Sequence, residues 1–175
     1  IAPSLVGSEM CIRDSLVLAT QNPIDQEGTY PLPEAQRDRF MMKLNIDYPS
    51  KEEELKIMQR MSDLNFKKST KTILNKKDIT AIQNEINKVS ISESIEKYII
   101  EIVNATRKPS SVKLNEFEDY ISFGASPRAS INLSLASKAN AFLSNRDYVM
   151  PDDVKEIAHD VLNIVGNFFN IIRHN

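Results

Sequence analysis

The chain has 175 residues, 22 Lys plus Arg against 24 Asp plus Glu for a net charge of −2, 41 % hydrophobic residues and one cysteine, Cys11. The near balance of charge gives no reason to expect nucleic acid or an anionic membrane as partner, and a lone cysteine excludes an internal disulfide framework. The apolar content suffices for a core, no apolar run approaches the ~20 residues that span a bilayer, and residues 1–15 lack a signal-peptide pattern, so the expectation is a cytoplasmic protein without membrane insertion.

Residues 1–15 (IAPSLVGSEMCIRDS) have no helical or strand period. Leu16–Thr20 (LVLAT) is continuously apolar, as expected of a strand buried on both faces of a parallel sheet. A turn-rich loop follows with Pro23, Gly28, Pro31 and Pro33, and PEAQRD predicts one or two helical turns with Pro33 near their start. Phe40, Met42, Leu44 and Ile46 alternate with Met41, Lys43 and Asn45, a period of two that predicts a second strand.

After Pro49 the period becomes helical. Ser50 and Glu53 have capping-box spacing, and Glu52, Glu53 and Glu54 place acid in a first turn, where the helix dipole favours it. Asn75 is placed to cap a helix carrying Ile79, Ile82, Ile86 and Val89 on one side. Ser90 or Ser92 caps the next, with Ile95, Tyr98, Ile99, Ile102 and Val103 on its apolar face. Ile131, Leu135, Ala139, Phe142 and Leu143 predict a fourth stripe; Val154, Ile157, Ala158, Val161, Leu162 and Val165 predict a fifth. The expected fold is therefore an α/β piece over residues 16–48, with too few strands for a sheet of its own, followed by an all-α bundle over residues 49–165 and mainly α overall.

Three positions invite a chemical reading. Asn22 ends the first predicted strand, and ligands of open α/β sheets sit beyond the carboxyl ends of strands. A neutral Asn there can bond a phosphate oxygen or orient a water; alternatively, Asn22-Pro23 simply begins a turn. Arg39 sits directly before the second predicted strand. It either makes a surface ion pair with Glu34 or Asp38, or presents a cation to an anion on a neighbour. Ser126, Pro127 and Arg128 read as N-cap, first helical position and first turn, so Arg128 either reaches away from an unfavourable dipole or shares an anion with the helix N-terminus. His159 and His174 lack metal-ligand spacing, and the four glycines are too scattered to form a phosphate-cradling loop.

Together these residues carry a resemblance. VLATQNPIDQEGTYPLPEAQRDRF and FGASPRASINLSLASKANAF resemble the MoxR family of AAA+ ATPases, and RDYVMPDDVKEIAHDVL is similar to that family's final helix. The resemblance runs from about Leu16 to about Leu162. It implies the last strands of a P-loop NTPase-type parallel sheet followed by a helical lid, ATP and Mg2+ as cofactors, and a ring oligomer, usually a hexamer, that remodels partner proteins. Proteins with von Willebrand factor A (VWA) domains are implied as partners. The resemblance puts Asn22 at sensor 1, Arg39 at the arginine finger acting in trans on a neighbour's nucleotide, and Arg128 at sensor 2.

Departures from the family pattern qualify these expectations. The phosphate loop and the acidic magnesium-binding strand have no counterpart in the sequence, so ATP and Mg2+ are expected to be held mainly by segments not present here and the chain alone to be inactive. Residues 1–15 match no family element and read as translated adapter sequence. The tail from Asn163 (NIVGNFFNIIRHN) diverges, Arg37 stands where an apolar residue is usual, and Met150 replaces a capping Thr or Ser. The rival reading is a non-enzymatic helical module that binds a protein partner through residues 49–165.

Overall fold

A computed structural model describes residues 16–21, 32–63, 66, 70–121 and 124–164. The chain divides into two compact units, 1–31 and 32–175. In the first, the expected strand at Leu16–Thr20 does not form: the backbone is irregular and Leu16 and Leu18 are each 85 % exposed. An apolar run becomes a buried strand only when neighbouring strands take its N–H and C=O groups and other layers cover its faces. The described residues of that unit supply neither.

The second unit is helical. In chain order it comprises α1 (Glu34–Arg37), α2 (Lys51–Met61), α3 (Lys76–Lys88), α4 (Glu93–Arg107), two 3-10 turns (Pro109–Val112 and Asn115–Tyr120), α5 (Pro127–Leu143) and α6 (Pro151–Leu162). The predicted caps explain the starts. Glu53 N donates to Ser50 Oγ, and Ser50 N donates to Glu53 Oε2 at 2.9 Å, which completes the capping box and holds the Glu53 carboxyl below its usual range. Asn75 Oδ1 accepts from Lys77 N at 2.8 Å and from Asp78 N at 3.2 Å, and Ser92 Oγ accepts from Ile95 N. At the other end of α5, Asn145 adopts a left-handed φ of 57°. Asn145 N donates to Phe142 O and Arg146 N to Ala141 O, both at 2.9 Å, a Schellman stop.

The core lies where α4, α5 and α6 meet, with α3 against α5. Ile99, Val103, Leu133, Val154 and Val161 are at most 2 % exposed, each contributing on the order of 1.5–3 kcal/mol by burial. The predicted stripes of α4 and α6 match the buried faces, Val165 of the latter lying outside the described residues. That of α5 matches only in part: Ala139 and Phe142 are half-buried, Phe142 against the core, but Ile131, Leu135 and Leu143 are exposed, and the helix buries Ala129, Leu133, Ala136, Ser137 and Ala141 instead. Small residues let α5 approach α6 and α4 closely, so close packing selects the alanine face and leaves the larger side chains outside. No residue of α2 or α3 is buried.

Among the described residues the only β pairing is an isolated parallel bridge between Ser90 and Tyr148, in which Ser90 N donates to Asp147 O at 2.8 Å and Val149 N to Ser90 O at 3.0 Å. The second expected strand, Phe40–Ile46, is likewise irregular. Met42 packs against the core, but Leu44 and Ile46 are 62 % and 92 % exposed. Lys43 N donates to Asp160 O at 2.9 Å, one of the carbonyls that the last turn of α6 leaves without an intrahelical partner. The strap is thus held by a helix end rather than by a ladder.

Candidate functional site

The site is assembled at the N-terminus of α5. Ser126 has extended backbone, its Oγ accepts from Arg128 N at 3.2 Å, and Pro127 supplies the first helical position. The preceding residues are strapped to the end of α4: Ala125 N donates to Thr106 Oγ1 at 2.9 Å, and Arg107 Nε donates to Ala125 O at 2.7 Å. Gly124 makes this approach possible, because a Cβ there would lie 2.6 Å from Arg107 Cα and 2.5 Å from its Cγ. Backbone cannot yield as a side-chain tip can. Gly124→Ala is therefore expected to destabilise the bundle by about 1–3 kcal/mol through overpacking, measurable by urea denaturation.

The second half of the site comes from α1 and the turn after it. Pro33 precedes the helix, as predicted, and Asp38 N donates to Glu34 O at 2.9 Å to close it. Asp38 then reaches α5: its Oδ1 accepts from Ser126 Oγ at 2.6 Å and its Oδ2 from Arg128 Nη1 at 2.5 Å. The Asp38 side chain is 18 % exposed and that of Arg128 58 %. The pair offsets the dipole's disfavour of a first-turn cation, because the carboxylate also sits at the positive end of the helix.

Asp38, one of the two partners that the surface ion-pair reading offered Arg39, is therefore engaged elsewhere. Arg39 is exposed, and its side chain has no hydrogen-bond or ion-pair partner among the described residues. Arg37 is half-buried, and its buried Nε has no hydrogen-bond partner among the described residues. Asn22 lies outside the described residues. The structure thus brings Arg128 against the residue next to Arg39. Asp38 was not singled out in the sequence beyond its possible pairing with Arg39, and no local spacing connects it to a partner 90 positions away. Among the described residues no group of three or more His, Cys, Asp or Glu side chains is arranged to hold a metal ion.

Comparison with known proteins places these features in context. Residues 7–42 match the model of the ATPase family associated with various cellular activities (AAA), and residues 116–163 match that of the AAA lid domain. The chain is 45 % identical over 147 residues to Chaperone MoxR1 of Mycobacterium tuberculosis, a match covering 84 % of this chain and 38 % of the relative. It is 44 % identical over 153 residues to YeaC of Bacillus subtilis, covering 87 % and 45 %. A crystal structure of a protein provisionally designated an ATPase, from Cytophaga hutchinsonii, matches with TM-score 0.76 and 58 % identity over 82 % of this chain and 44 % of that one. The chain spans less than half the length of these relatives.

Proposed function

This chain belongs to the MoxR family of AAA+ ATPases, and from that premise we propose that it supplies the arginine-bearing edge and helical lid of a ring oligomer, a hexamer, that couples ATP hydrolysis to chaperone-like remodelling of partner proteins, VWA-domain proteins among them. ATP with Mg2+ supplies the transferable phosphoryl group. Asn22 orients water beside it, Arg39 extends to the phosphates held by the adjacent subunit, and Arg128 addresses nucleotide phosphate from the lid. The observation that carries this reading is the contrast between neighbours. Asp38 is committed to Arg128 and Ser126, whereas Arg39 projects from the same turn exposed and without a partner among the described residues.

The described residues fit a polyphosphate. Arg128 uses one guanidinium N–H on Asp38 and keeps others, on a side chain more than half exposed, at the N-terminus of a 17-residue helix.

Arg128→Ala tests this in a full-length protein with the phosphate-binding segment. Without nucleotide, stability is expected to fall by no more than about 1 kcal/mol, because a largely exposed cation leaves a carboxylate still bonded to Ser126. The thermal stabilisation gained from ATP with Mg2+ should be lost, since the anion then meets only helix N–H groups. An unchanged ATP response would make Arg128 structural.

A second reading, a non-enzymatic interaction module, is favoured by α2, which buries nothing and exposes Leu55, Met58 and Met61. Absence of ATP binding by the full-length protein, with partner capture through α2 retained, would select it.

A further inference from the structure

Asp38 stands between the two arginines used by the proposed function, and that function gives it no task. We propose that Asp38 is a positioning residue that ties the presentation of Arg39 to the lid helix α5, so that displacement of Arg128 is felt at Arg39. This rests on the reading of Arg39 and Arg128 above.

The turn that carries Arg39 has little to hold it. The helix α1 has four residues, buries none, and is too short to be stable alone. The turn itself is closed by backbone bonds from Asp38 N to Glu34 O at 2.9 Å, Arg39 N to Gln36 O at 3.3 Å and Phe40 N to Arg37 O at 2.9 Å. Its location on the bundle therefore depends on longer-range ties. Beyond Arg39 these are the packing of Met42 against the core and two hydrogen bonds, from Asn132 Nδ2 to Met41 O at 3.3 Å and from Lys43 N to Asp160 O at 2.9 Å. On the near side is Asp38, which carries charge, uses both carboxylate oxygens and is the residue directly before Arg39. Adjacent Cα atoms are ~3.8 Å apart, so fixing Asp38 fixes the origin of the Arg39 side chain.

The tether also leaves both arginines available. One Arg128 N–H is spent on Asp38, so the guanidinium retains donors for an anion while it stays tied. Because Asp38 is engaged, the acid next to Arg39 in sequence is paired elsewhere. A guanidinium pulled toward phosphate must either carry Asp38 with it or release it, and each alters the turn from which Arg39 projects. The device would link the nucleotide that Arg128 meets to the arginine that the subunit offers to its neighbour.

The first test needs no nucleotide. In the 175-residue chain, Asp38→Asn and Arg128→Gln are each expected to speed hydrogen exchange at the Arg39 and Phe40 amides about ten-fold, and the double variant no further, as removal of one shared tether requires. In the full-length ring, Asp38→Asn should lower kcat by up to ~10²-fold through misplacement while the Kd for an ATP analogue is kept, and the double variant should be no slower than Arg128→Gln. Unchanged exchange, or losses that multiply, would overturn the proposal. If Asp38→Asn does not fold, Asp38→Glu keeps the charge one methylene further out and is expected to shift both readouts in the same direction; no shift in either would refute the tether. Full turnover of Arg39→Ala would sink the underlying reading. A dead Arg39→Ala beside a normal Asp38→Asn would sink the tether alone.

Discussion

Replacing Arg39 with alanine in a full-length ring is expected to lower turnover about 10³- to 10⁵-fold while leaving nucleotide binding nearly intact. The physical reason is that a cation supplied to the transferring phosphoryl group acts where charge develops, in the transition state, and contributes little to the ground state. The structure makes the test sensitive. Arg39 is exposed and has no side-chain partner among the described residues, so its truncation removes no described contact and should leave the lid's thermal midpoint in place. Action in trans has its own signature. Subunits carrying Arg39→Ala, mixed with subunits unable to hold phosphate, should regain activity at interfaces where an intact arginine meets an intact nucleotide site. Mixed rings that form but show no rescue would count against a trans role, and loss of nucleotide binding in Arg39→Ala would indicate a structural arginine.

The second large effect is one of stability. Arg146→Ala is expected to destabilise the bundle and to lower the thermal midpoint by several degrees, because it strips a buried carboxylate of its charged partner. Asp153 is 2 % exposed, in the first turn of α6. Its Oδ2 accepts from Arg146 Nη1 and from Met150 N, each at 2.7 Å. Its Oδ1 accepts from Arg146 Nη2 and, at 3.2 Å, from Asn140 Nδ2. Without Arg146 the carboxylate keeps weaker donors and stays out of water, which is the costly outcome.

The same contacts, the Arg146 hydrogen bonds first and the Met150 N–H among the rest, hold the Asp153 carboxyl below its usual range despite burial. A depressed folded-state pKa contributes stability that is fully present above the unfolded value, about 3.9, and is lost as pH falls through the folded value. The acid limb of stability against pH should therefore flatten in Asp153→Asn, which also lowers stability at neutral pH. An acid limb unchanged in slope would remove Asp153 from this account.

Much of the helical framework was legible along the chain, because its signals are local. A capping box at Ser50 and Glu53, the Asn75 and Ser92 caps and the Ser126-Pro127 start are hydrogen bonds or steric preferences within three residues, and they are made as their spacing predicts. The same holds for the apolar faces of α4 and α6. The motif running from Val17 to Phe40 and the one around Ser126-Pro127-Arg128 were enough to identify the family. Three features were not legible, and each depends on partners distant in sequence. Strand character at Leu16–Thr20 and Phe40–Ile46 needs edges to pair with, and the apolar patterns alone do not provide them. The buried face of α5 was decided by how closely α6 and α4 approach, which favours Ala129, Ala136 and Ala141 over the larger Ile131 and Leu135. The partners of Asp38 were decided by docking: its carboxylate reaches a helix start 88 and 90 residues away. Hydrogen bonds within a turn need only the backbone that makes the turn, whereas a long-range charge pair forms only after packing has removed both groups from water and set them side by side.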